Sequence, residues 1–307
     1  MTPTFDDPAA AEHRETQYFE MFVNRGIYHK GWTAVTRHST PWVMTPTLPA
    51  FDDDVWELYG PGDWTQAHDF SKENPEKLHE LQRLFLIEAA KHNVFPLDDR
   101  RVERLNSDLA GRPLLIRGKS QLLFGGMGRL TENTVINIKN KSHAVSAEIV
   151  VPDGGATGVI VAQGGAFGGW SLYARDGKPV FCYNLFGLQR FKIAGDSAIL
   201  AGEHQVRMEF AYDGGGLAKG GTVTLYVDGK KAGEGRLEAT QPMIFSADET
   251  TDVGTDSATP VSDDYGPKDS KFNGRVRWVQ IDIAEAAEDL DHLITPEERL
   301  RIAMARQ

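Results

Sequence analysis

The stretch Thr222–Arg236, T-V-T-L-Y-V-D-G-K-K-A-G-E-G-R, constrains the fold more than any other part of the chain. Val223, Leu225 and Val227 alternate with Thr222, Thr224 and Tyr226, so one face of the segment is apolar and the other polar. Asp228-Gly229 follows at once, and Gly229 can take the positive φ of a tight hairpin turn. A second strand returns through Gly233 and Arg236. One hairpin is not stable by itself in water, so further strands must cover its apolar face.

Residues 111 to 285 supply them. Short strands alternate with glycine turns: Gln121–Phe124, Thr134–Ile138, His143–Val151, Gly158–Ala162, Trp170–Ala174, Val180–Leu185, His204–Tyr212, Thr222–Val227, Lys231–Leu237 and Val276–Ile283. Short strands at this spacing, with turn chemistry at Pro152-Asp153-Gly154-Gly155 and Asp176-Gly177, predict an antiparallel β-sandwich.

Residues 1 to 110 read differently. Tyr18–Val23 and Ile27–Thr36 are expected as two strands joined near Asn24-Arg25-Gly26, with Val55–Tyr59 as a third. Residues 71–92 predict a helix. Asn74 is placed to cap it, Pro75 suits its first position, and Leu78, Leu81, Phe85 and Ala89 form one stripe. The expected arrangement is a small antiparallel sheet with this helix on one face. A last helix is expected within 286–307, opened by the capping box Thr295-Pro296-Glu297-Glu298. The fold class is therefore mainly β with minor α.

Several strings in the first 110 residues carry a family likeness. Y-F-E-M-F-V-N-R-G-I-Y-H-K-G-W, F-D-D-D-V-W-E-L-Y, D-W-T-Q-A-H-D-F and V-F-P-L-D-D-R resemble the C-terminal end of bacterial arylsulfatases. The likeness implies a sulfatase C-terminal subdomain over 1–110. Residues 111–285 are similar to a concanavalin-like jelly roll of the laminin-G kind, through A-G-E-H-Q-V-R-M-E-F, L-Y-V-D-G-K and F-N-G-R-V-R-W-V-Q-I. The family's formylglycine motif, C/S-x-P-x-R, does not occur, and Cys182 lies in C-Y-N-L-F. The resemblance therefore implies a C-terminal part whose calcium and formylglycine belong to a missing N-terminal catalytic domain. That domain would be its partner, and a sulfated compound its substrate. The chain alone is expected to be inactive. A glycan-binding sandwich, or a docking partner of a separately encoded sulfatase domain, is the alternative.

Composition narrows the remaining classes. A net charge of −11 disfavours nucleic acid as a partner, and no run of 18 apolar residues would span a membrane. The opening residues have no basic-then-apolar leader, so a cytoplasmic location is expected by default. If residues 1–110 lean on another domain, they expose an apolar patch when alone, and a homo-oligomer is expected.

No residue emerges as catalytic, cofactor-binding or metal-ligating. The loop Ser246–Tyr265 carries Asp248, Glu249, Asp252, Asp256, Asp263 and Asp264. It has the oxygens for calcium but not the twelve-residue calcium pattern. An acidic surface loop is the plain reading, calcium ligation the sharper one, and the rim of a substrate site a third. Gly164–Trp170, G-G-A-F-G-G-W, is either a close-approach ligand loop or a bend between strands, and Gly125–Gly128 reads alike. The nine histidines are scattered without H-E-x-x-H spacing. His29, beside Tyr28 and Trp32, is either a cleft residue or a structural one. Cys182 reads as a buried, inert thiol. Tyr173, Tyr183 and Trp278 are either sugar-stacking aromatics or core residues.

Overall fold

The computed structural model describes residues 5, 7, 10–43 and 47–283. The chain divides into two compact units, Met1–Arg104 and Leu105–Gln307. The helix expected within 286–307 lies outside the described residues.

The first unit holds an antiparallel four-stranded sheet in the order β1 (Thr16–Met21), β2 (Asn24–His29), β3 (Trp32–Thr36) and β4 (Trp56–Tyr59). The single strand expected over Ile27–Thr36 is two strands. Lys30 and Gly31 both adopt positive φ, 48° and 85°, and turn the chain back between them. The first turn falls at Phe22-Val23 rather than at Asn24–Gly26. Helix α1 (Pro75–Lys91) packs its stripe of Leu81, Phe85 and Ala89 against Ile27, Ala34 and Leu58. Pro75 opens it as expected, but the Asn74 side chain makes no capping bond; its carbonyl accepts from Leu78 N–H instead. A one-turn helix, α2 (Ser107–Ala110), opens the second unit, with Asn106 as its cap.

The second unit is a β-sandwich. One sheet has five strands in the order β10 (Gln189–Ala194), β9 (Lys178–Leu185), β8 (Gly168–Arg175), β7 (Gly158–Gly165) and β14 (Thr251–Val253). The other has six, in the order β13 (Lys230–Ala239), β12 (Lys219–Val227), β11 (Gly202–Tyr212), β6 (His143–Val151), β15 (Arg275–Ile283) and β5 (Ser120–Phe124). Every pairing within the sheets is antiparallel. Trp170, Leu172 and Phe181 of the first sheet share one core with Val145, Met208 and Leu225 of the second. The β12–β13 hairpin turns at Asp228-Gly229, both at positive φ (50° and 74°), as the sequence requires.

One expected strand is absent. Thr134 ends a 3-10 turn (Glu132–Thr134) and residues 135–138 are irregular, although Val135, Ile136 and Ile138 are buried in the core. Their backbone is satisfied locally: Ile136 N–H donates to Gln121 Oε1 and Thr134 N–H to the Thr131 carbonyl. Buried apolar residues therefore do not require a ladder here.

The linker from β14 to β15 crosses the outer face of the five-stranded sheet. Its Val261 and Tyr265 cover Val159, Ala162, Tyr173, Val180 and Cys182 in a second apolar layer.

Candidate functional site

Two neighbouring hairpin tips end the five-stranded sheet. At the β7–β8 tip only Ala166 and Phe167 join the strands. Gly164 and Gly169 face each other so closely that a Cβ on either would lie about 2 Å from the opposite carbonyl. Gly168 sits over the Gln241 carboxamide, where a Cβ would also collide. The glycine run is thus a tightly closed turn, which is the bend reading of Gly164–Trp170. Phe167, at its apex, is 75% exposed.

The β9–β10 tip is Phe186-Gly187-Leu188. Phe186 holds φ at 55°, a left-handed conformation that is costly for a bulky side chain. Its ring is 52% exposed and Leu188 is 88% exposed. Nothing in the core requires either side chain.

Asn184, fully buried, joins the two tips. Its Nδ2 donates to the carbonyls of Gly165 (2.8 Å) and Ala166 (3.0 Å), and its Oδ1 accepts Gly187 N–H at 3.0 Å. Thr259 braces the β7–β8 tip from the β14–β15 linker. Its Oγ1 accepts Ala166 N–H at 2.8 Å and donates to Glu249 Oε1 at 2.6 Å. The backbone beside the three apolar side chains is therefore tied down by polar side chains.

The aromatics singled out in the sequence are elsewhere. Tyr173, Tyr183 and Trp278 are 1%, 5% and 3% exposed, so none can stack on a ligand. Tyr183 faces the inter-sheet core and receives Gln241 N–H at 2.7 Å. Phe186 and Leu188 escaped notice because F-G-L continues a strand-like pattern; only Gly187, placed for a turn, marked them as a tip.

The acidic loop is neither one cluster nor wholly a surface feature. Asp252 and Asp256 are buried, and their oxygens take protein donors. Asp252 accepts from Arg129 N–H and from Ser257 N–H and Oγ. Asp256 Oδ2 accepts from Val261 N–H at 3.0 Å and from the Tyr265 hydroxyl at 2.7 Å. Burial, then repulsion from Asp252 and Glu249, pushes the Asp256 carboxyl up to about 6 despite these bonds. Asp264 meets Lys192, Arg175 and Tyr173. Among the described residues no three His, Cys, Asp or Glu side chains are grouped to hold a metal. Cys182 is buried, and burial pushes its thiol up to about 11, which leaves it un-ionised near neutrality.

His29, His38 and His143 each have a local partner. His29 Nδ1 lies 2.8 Å from Thr16 Oγ1. His38 lines a polar hollow of about 630 Å³ in the first unit, but it is bound to Asp54 at 2.9 Å, and Asp54 also meets Arg25. His143 is buried with Nδ1 3.1 Å from the Lys141 carbonyl.

No family model matches the chain, and no curated protein does. Among solved structures, similar ones include a native heptameric SAP-like pentraxin from Limulus polyphemus, 13% identical over 55% of this chain and 79% of that one, at a TM-score of 0.33. The CBM40 of the Ruminococcus gnavus IT-sialidase, bound to α2,3-sialyllactose, is 9% identical over 62% of this chain and 98% of that one, at 0.38. The receptor-binding domain of botulinum neurotoxin type G is 12% identical over 61% and 46%, at 0.33.

No sulfatase is found in these comparisons, and the arylsulfatase likeness is corrected accordingly. The residues that suggested it serve local packing. Tyr18 stacks on His92, Trp32 meets Phe70 edge-on, Trp56 meets Phe85 edge-on, and Asp69 accepts from Leu58 and Ser71 N–H. An aromatic sheet under one helix calls for such residues whatever its ancestry. The expectations of a catalytic partner domain, its calcium and formylglycine, and a sulfated substrate rested on that likeness and lose their basis with it.

Proposed function

We propose that the sandwich is a glycan-binding module whose contact surface is the pair of tips carrying Phe167, Phe186 and Leu188. A pyranose ring presents an apolar face of C–H groups and an edge of hydroxyls. Bare phenyl rings suit the face, and the Thr259 and Glu249 oxygens suit the edge. The observation that carries this reading is Phe186: a large aromatic kept in a left-handed turn with its ring in solvent. The acidic balance of the chain disfavours an anionic lipid surface as the alternative occupant of an apolar tip. The finer description of the sandwich, a jelly roll of the laminin-G kind, is retained here from its sequence cues.

A glycan array followed by titration calorimetry, with neutral and sulfated oligosaccharides, tests the proposal. Phe167→Ala and Phe186→Ala are each expected to weaken binding at least about tenfold, or about 1.4 kcal/mol, while the fold is kept. Absence of carbohydrate binding by the wild-type chain, or unchanged affinity in both variants, overturns it.

A further inference from the structure

The linker segment 254–265 carries a buried acid that the tip surface does not use. Asp256 is 2% exposed, and its two polar partners are uncharged: the Val261 N–H and the Tyr265 hydroxyl. The Tyr265 oxygen also lies 2.9 Å from Ser171 Oγ on β8. The bond from Val261 back to Asp256 closes a loop that contains Thr259, and Thr259 holds the Ala166 N–H of the β7–β8 tip. The carboxyl is therefore one anchor of the segment to the sheet and, through Thr259, to the tip, alongside the Gly254 N–H bond to the Ile160 carbonyl and the Ser270 hydroxyl bonds to the Asp256 backbone.

The charges around it do not neutralise it. The Asp252 and Glu249 carboxylates repel it. Arg190 directs Nε to the Val261 carbonyl, while Lys192 and Arg175 are engaged by Asp264, and Lys192 also by Asp263. Cys182, beneath Tyr265, is a neutral thiol.

We propose that segment 254–265 is an acid-tightened clasp over the five-stranded sheet, with Asp256 as the proton-binding residue that sets how firmly the clasp and the β7–β8 tip are held. A neutral Asp256 brings no charge into an apolar, acid-flanked position. It still accepts from Val261 and still bonds to Tyr265. An ionised Asp256 is a buried charge whose carboxylate has two neutral hydrogen-bond partners, and Asp252 and Glu249 repel it. When the clasp opens, the carboxyl returns to its ordinary value of 3.8; closed, it stands at about 6. The closed form thus binds the proton more tightly. Closure is favoured as pH falls and is lost as pH rises through about 6. Between pH 7.5 and pH 5 the opening equilibrium shifts about tenfold.

Other groups do not mimic this. The Lys192 bond holds Asp263 below the usual carboxylate range. Burial opposes the Asp264 charge, but Lys192, Tyr173 and Arg175 hold it low as well, so both stay ionised across this window. Burial pushes His143 down to about 4, so it gains a proton only when the whole sandwich unfolds. That lowers global stability as pH falls, opposite in sign to the clasp. Local opening is therefore the informative readout.

Amide hydrogen exchange of the full chain by mass spectrometry, corrected for the intrinsic pH dependence, supplies that readout. Peptides covering 163–168 and 254–265 are expected to lose about tenfold in protection from pH 5 to pH 7.5. In Asp256→Asn they should keep the pH 5 protection at both values. Tyr265→Phe removes a bond that favours the charged carboxylate, so the midpoint of its profile should move upward. A flat wild-type profile, a pH response surviving in Asp256→Asn, or an unmoved midpoint in Tyr265→Phe overturns the proposal. A response confined to 254–265 overturns the coupling to the tip. None of these measurements uses a carbohydrate, so they succeed or fail separately from the glycan reading.

Discussion

Phe167 and Trp170 stand three residues apart on one hairpin, yet one is 75% exposed and the other has no exposed surface. The next hairpin repeats the contrast, with Phe186 at 52% and Tyr183 at 5%. Within the strands, side chains alternate, and the inward set enters the core shared by both sheets. Past the last strand pair that rule lapses, and only the turn decides where a side chain points. A core aromatic is explained by what it touches. A tip aromatic is largely in solvent, and that asymmetry is what supports the tip surface proposed above.

Three substitutions sharpen or break the contrast. Trp170→Ala should have the largest effect. It removes a fully buried ring and orphans Gln163 Oε1, which accepts its indole N–H at 2.9 Å, so denaturant unfolding should show a loss of about 3–5 kcal/mol. A loss below about 1 kcal/mol would mean that the two aromatics are not of different kinds. Asn184→Ala should be intermediate, at about 2 kcal/mol, because it leaves the Gly165 and Ala166 carbonyls and the Gly187 N–H without their buried partner. The same variant should weaken glycan binding although its side chain reaches no ligand. Phe186→Asn should be the smallest and of opposite sign, a gain of about 0.5–1 kcal/mol in thermal or denaturant unfolding, since Asn tolerates the left-handed turn better than Phe does. A destabilised Phe186→Asn would assign the ring a structural role and remove the tip from consideration.

The hairpins were readable where alternation and turn chemistry agree. Thr222–Val227 with Asp228-Gly229 is such a case, and Trp170, Leu172 and Ala174 fall inward as their spacing requires. Alternation misled at Val135–Ile138, where apolar residues reach the core without a ladder, and at Lys30-Gly31, where a two-residue turn hides inside a strand-like run. The site was only half visible. Gly164–Trp170 drew attention to Phe167, but Phe186 and Leu188 carried no mark beyond Gly187. The burial of Asp256 could not be read locally, because its neighbour Tyr265 is oriented by Ser171, 94 positions earlier in the chain. The arylsulfatase likeness failed because aromatic strings and a short helix describe a packing solution that unrelated chains can share.

Asn184 carries one more consequence. Because a single carboxamide grips both loops, the spacing of the two loop backbones is set when the protein folds and not when something binds. Under the glycan reading proposed above, the two rings are then presented from fixed points of the backbone. A compound that fits this spacing would require no rearrangement of the loops on docking, and one that does not could draw one loop toward the other only by breaking the Asn184 bonds.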